Sequence, residues 1–72
     1  MDWLELIAMI EGDFPDKNWL VRKSIPGLDF DTNKYFANIY DPIHQGTAQA
    51  YGSTPEAALL SSYHIAEGGF NV

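Results

Sequence analysis

Seventy-two residues without a single cysteine make one small domain, with no disulfide and no thiolate-held metal to stabilise it. At 46% hydrophobic and 14% aromatic the chain is too apolar to be a disordered segment. Ten acids against four bases leave a net charge of −6, which repels phosphate backbones and anionic lipids and favours a partner with a basic surface; the plain alternative is that the charge only keeps a small domain soluble.

The first stretch, DWLELIAMIEG, reads as a short helix. Trp3, Leu6, Ile7 and Ile10 recur at i, i+3, i+4 and i+7, one face of an α-helix. Asp2 suits the N-cap and Gly12 the residue that ends the helix. This segment carries Asp2 and Glu5 but no basic residue, so it does not read as a secretory signal. No apolar run approaches the length of a membrane span, and a cytoplasmic protein is expected.

Pro15 in DFPDKN turns the chain, and WLVRKS (19–24) has the composition of a strand. Pro26-Gly27 marks a loop. KYFANIY (34–40) is the clearest strand, DPIHQG (41–46) a hairpin connection, and TAQAY (47–51) a third strand in strict alternation. The last element, STPEAALLSSYHIAEGG, is a capped helix with Thr54 at the N-cap, Pro55 at the first helical position and Gly68 at the end. The order is α-β-β-β-α, and the expected fold is α+β: a two-layer sandwich with a three-stranded antiparallel sheet and both helices on one face.

Alternation sorts the strands into two faces. Val21, Ala37, Ile39, Ala48 and Ala50 point inward, towards an arc of Ala58, Leu59, Ser62, Ile65 and Ala66 with Tyr63 on its rim. Leu20, Arg22, Phe36, Asn38, Tyr40, Thr47, Gln49 and Tyr51 form the other face. Three aromatics and a leucine there suggest a contact surface, unless loops or the C-terminal FNV cover it.

This body plan is similar to that of the double-stranded RNA-binding domain. That family places lysines at the start of its last helix to meet phosphates, and STPEAALL offers Glu56 instead, so direct nucleic-acid binding is not expected. Gly12, Trp19-Leu20-Val21, Ala48-Gln49-Ala50 and TPEAALLSSYHIA together resemble the phage ABA sandwich domain, with a departure at Tyr63-His64, where small residues are usual. The resemblance implies a phage or prophage accessory protein in a bacterial host cell, and it brings no catalytic residues.

Motifs for chemistry are missing. His44 and His64 have no acid or thiol at ligand spacing on their own elements. DFDTN (29–33) starts like a calcium loop, but Lys34 stands where the turn glycine belongs and Tyr40 where the closing glutamate belongs. No nucleophile elbow and no phosphate-cradling glycine motif occur. Neither an enzyme nor a cofactor is expected. Phe36, Tyr40 and Tyr51 lack the basic groove of a single-strand stacking platform.

Two sets of residues remain as candidates for partner binding. Asp29, Asp31 and Asp41, with Asp13 and Asp16, fall in expected loops, where spaced carboxylates imitate phosphates and fit a basic channel. Phe36, Tyr40 and Tyr51 lie on the outer sheet face. The expected function is a non-enzymatic phage or prophage protein that binds another protein and inhibits a host nucleic-acid-handling defence complex, in the manner of anti-CRISPR proteins. The alternative is a self-associating accessory domain, a homodimer through the aromatic sheet face.

Overall fold

A computed structural model describes residues 2–30 and 34–71. Five elements follow in the expected order: α1 (Trp3–Asp13), β1 (Asn18–Lys23), β2 (Tyr35–Tyr40), β3 (Thr47–Gly52) and α2 (Pro55–Gly68). The strands form one antiparallel sheet in the order β1-β2-β3. The fold is α+β.

Local chemistry sets the helix ends. The Asp2 carboxylate accepts the Glu5 N–H at 2.8 Å, and the Thr54 hydroxyl accepts the Ala57 N–H at 3.1 Å. Pro55 opens α2 where no N–H is needed. Gly69, at φ +118°, terminates α2 in a backbone region that side chains rarely enter. Gly12 does not end α1. The helix continues through Asp13 and stops at Phe14, whose N–H still reaches the Ile10 carbonyl.

Both helices lie on the same side of the sheet. Leu6 and Ile10 of α1, Ala37, Ile39 and Ala48 of the strands, and Ala58, Leu59, Tyr63 and Ala66 of α2 form one buried cluster. Alanine on the sheet meets alanine and serine on the helix, so α2 approaches closely. The Ser62 hydroxyl, fully buried, donates to the Ala48 carbonyl of β3. The approach is closest at Gly52, where a Cβ would stand 2.4 Å from the Ala58 nitrogen. Each fully buried aliphatic side chain contributes roughly 1.5–3 kcal/mol of transfer free energy.

α1 rests beside α2 and reaches the sheet at one end, where Trp3 meets Trp19 edge-on with centroids 6.2 Å apart. At the other end Phe14 packs edge-on against both Tyr63 and Phe70. This neighbour corrects the expected arc on α2. Tyr63 is buried, with its hydroxyl on the Asp13 carboxylate of α1, while Ile65 is turned outwards and exposed. The apolar stripe of α2 is shifted towards α1 because a second helix, and not the sheet alone, covers it. The same cause makes Leu6 and Ile10 the deepest residues of α1, with Trp3 and Ile7 only half-buried.

Candidate functional site

Cross-strand pairs confirm the assignment of the two sheet faces by alternation. Arg22 stands opposite Phe36 and Phe36 opposite Tyr51; Leu20 faces Asn38, which faces Gln49; Asn18 faces Tyr40, which faces Thr47. All nine side chains share the face that neither helix touches. Phe70 and Asn71, the described residues after Gly69, do not cover it. Phe70 turns into the helical layer, and Asn71 exchanges two backbone hydrogen bonds with Thr47 at the rim of β3, at 2.7 and 2.9 Å.

One end of this face is partly roofed by the loop after β1. Asp29 is the hub of that roof. Arg22 donates to both its carboxylate oxygens, at 2.7 and 3.2 Å, a bidentate ion pair. The Ile25 N–H donates to it at 2.6 Å and the Tyr51 hydroxyl at 3.1 Å. Tyr51 also accepts the Phe30 N–H, at 3.3 Å. The Arg22 guanidinium lies 4.6 Å from the Phe36 ring centroid, and the Phe36 and Tyr51 rings are 5.4 Å apart. The hydrogen bonds from Arg22, then from Ile25, hold the Asp29 carboxyl down to about 2.

Beside this hub lies a groove of about 530 Å³, bounded by Leu28, Phe30, Phe36, Asn38, Gln49 and Tyr51 among others. Leu28 and Phe30 are almost wholly exposed on its wall. Asn38 continues into a second hollow with Leu20 and Tyr40. Leu20 is 45% exposed in the middle of a strand, where burial is the rule for leucine. The open face thus joins aromatic, aliphatic and uncharged amide groups, with the Arg22–Asp29 ion pair at one end.

The six candidates from the sequence now separate. Phe36, Tyr40 and Tyr51 share the open face, with Phe36 at its floor under Arg22 and Tyr51. Asp29 is not an exposed loop charge, since its side chain is 5% exposed and its oxygens are occupied. Asp41 is also enclosed. It accepts the N–H groups of Ile43 and His44 at 3.0 and 3.2 Å and pairs with the His44 ring at 2.9 Å, which ties the 41–46 turn. Burial pushes the Asp41 carboxyl up, but these hydrogen bonds outweigh it and its pKa lies below the usual value. Asp31 lies outside the described residues. Asp13 belongs to α1, not to a loop.

Asp16, Asp29 and Asp41 lie in loops as expected, and a second set of acids lies on the helices. Glu5, Glu11 and Asp13 on α1 and Glu56 and Glu67 on α2 are all exposed, and neither helix contains a lysine or arginine. The helical periodicity already carried this signal, because burying Leu6 and Ile10 on α1 and Leu59 and Ala66 on α2 turns the carboxylates of both helices outwards.

Among the described residues no group of three or more His, Asp or Glu side chains is arranged to hold a metal ion, and no helix is long and apolar enough to cross a membrane. No protein-family model, no curated protein and no solved structure matches the chain.

Proposed function

We propose that this chain is a small non-enzymatic protein of phage or prophage type that acts by binding another protein, and that the open sheet face is the surface it binds with. One observation carries the reading. The same three strands are sealed by two helices on one side and carry Leu20, exposed, and Tyr40, half-buried, on the other, with Leu28 and Phe30 of the loop after β1 exposed beside them. Contiguous apolar surface of this kind, rimmed by polar groups, marks interaction sites in small soluble proteins. Capture from a bacterial lysate by the wild type, Leu20→Glu and Tyr40→Glu tests it. A protein held by the wild type and released by both variants supports the face; a protein held equally by all three rules the face out.

A second reading follows from the charge. The helical layer bears carboxylates and no lysine or arginine, with His64 beside Glu67, which suits a basic partner such as a host nucleic-acid-handling defence complex. In this reading the exposed Glu56 and Glu67 replace Asp29 and Asp41 as the contacting acids, because the loop carboxylates are enclosed, whereas Glu67, though paired with His64 at 3.1 Å, stays about half exposed. Association with that partner should slow steeply with salt, and Glu56→Gln with Glu67→Gln should slow it further. A salt-independent association rate counts against it.

A further inference from the structure

We infer that the outer edge of β1 is a strand-addition site, where an extended segment of a partner protein pairs in the antiparallel sense and widens the sheet to four strands. The inference rests on the reading of this chain as a protein-binding protein, but it uses a different surface from the open face.

The ladder fixes which backbone groups are free. The Ser24 N–H donates to the Lys34 carbonyl at 2.9 Å and continues the β1–β2 register, so Ser24, Arg22, Leu20 and Asn18 turn their backbone groups towards β2. Trp19, Val21 and Lys23 turn theirs the other way. The Arg22 side chain donates to the Lys23 carbonyl at 3.3 Å. The three outward N–H groups and the carbonyls of Trp19 and Val21 have no hydrogen-bond partner among the described residues. Another strand satisfies such a row in full.

The packing selects this edge over that of β3. There the chain supplies its own partner, because Thr47 exchanges both backbone hydrogen bonds with Asn71. α2 also closes on β3, and Ala48 and Ala50 are buried beneath it. No residue of β1 is buried. Trp19 and Val21 point to the helical side and still stay half-buried. Against this stretch of β1 lies a hollow of about 330 Å³, lined by Trp3, Val21, Lys23, Tyr35, Pro55 and Glu56 among others. In an antiparallel pair, residues directly opposite one another share a face, with Cα atoms about 5.5 Å apart where they exchange hydrogen bonds. The partner residues opposite Val21 and Lys23 therefore face the helical side, at this hollow.

Charge states the chemistry of the partner. Lys17 and Arg22 are held by aspartates. Lys23 forms no ion pair among the described residues, and Glu56, in the same hollow, does not pair with it. An acidic residue opposite Lys23 supplies the missing counter-charge. An apolar residue opposite Val21, beside Trp3, covers surface that the helices leave bare. The partner segment thus carries an acidic and an apolar residue two positions apart in an extended stretch.

Selection of a displayed library of random peptides on the full chain tests this. Peptides with that spacing should be enriched. When one of them binds, amide hydrogen exchange should slow at Trp19, Val21 and Lys23 and stay unchanged at Gln49 and Tyr51 on the outer edge of β3. Val21→Pro removes an outward N–H and leaves the ladder to β2 whole, so it should weaken binding by about tenfold or more. Lys23→Glu should weaken it by about two- to fivefold. The exchange pattern needs no variant and decides the question even where Val21→Pro fails to fold. A selection that enriches no peptide overturns the inference, as does slowed exchange elsewhere than at the β1 edge. Peptides that Val21→Pro retains and Tyr40→Glu releases overturn it too, in favour of the open face. So does a chain that dimerises without peptide and loses the dimer in Val21→Pro, since the occupant is then a second copy. The capture experiment judges the open face separately, because Tyr40 lies on β2, away from the edge.

Discussion

The two faces of the sheet use the same eighteen strand residues and opposite chemistry. The covered face centres on Ala37, Ile39, Ala48 and Ala50, flanked by Trp19, Val21 and Tyr35 and closed by Leu59, Ser62 and Ala66 from above, and the Ser62 hydroxyl is spent on a strand carbonyl. The open face is aromatic and amide, held in place by an ion pair that spans strand and loop. Small side chains on one side let a helix come close. Large ones on the other side hold a surface open and shape it. The covered face thus carries stability, and the open face is free to carry recognition.

The largest break in that division should come from Leu59→Ala, which removes a fully buried side chain from a 72-residue core. A loss of about 2–5 kcal/mol is expected, enough to unfold much of the protein in a chemical denaturation series, since small domains have only several kcal/mol in total. A variant that loses less than about 1 kcal/mol would show that the helices contribute little to the fold.

Gly52→Ala probes the closest approach of α2. Its new methyl group meets backbone, not a movable side-chain tip, so α2 must shift. Overpacking of this kind costs about 1–3 kcal/mol. Thermal melting should fall accordingly, and an unchanged melting temperature would mean that the helix start is not held against β3.

Acid and base probe the two clamps. The Asp29 carboxyl is lowered to about 2 from 3.8, so its ionised form is favoured in the folded state. That stabilisation is complete above pH 4 and disappears as pH falls through about 2. Tyr63 is the opposite case. Its hydrogen bond to Asp13, then burial, raise its hydroxyl from 10 to about 12, so the stabilisation is complete below pH 10 and is lost as pH rises through about 12. In urea titrations, Asp29→Asn should reduce the acid-side slope, part of which Asp41 and the other lowered carboxyls retain, and leave the alkaline side intact, with Tyr63→Phe reducing the alkaline slope instead. Identical pH profiles for wild type and Asp29→Asn would remove the Arg22–Asp29 pair from the account of the open face.

The smallest effect should be Leu20→Glu. On an uncovered face it should change monomer stability by no more than about 0.5 kcal/mol, while abolishing association through that face. This contrast with Leu59→Ala, two leucines on the two sides of one sheet, measures the division directly. A large destabilisation at Leu20 would mean that the open face belongs to the core.

Local patterns alone determined the element order, both N-caps and the two faces of the sheet. A strand alternates with period two whatever lies above it, and Thr54-Pro55 starts a helix wherever the chain places it. Leu20, Arg22, Phe36, Tyr40 and Tyr51 could therefore be put on one face from spacing alone. Only the tertiary structure decided what the acids do. Asp29 reads as a loop charge until Arg22, seven residues back, and Tyr51, twenty-two residues on, converge on it. Tyr63 reads as a rim residue until Asp13 and Phe14, fifty residues away along the chain, lie beside it. Hydrogen-bond partners are chosen by distance in space, and a sequence pattern reports only distance along the chain.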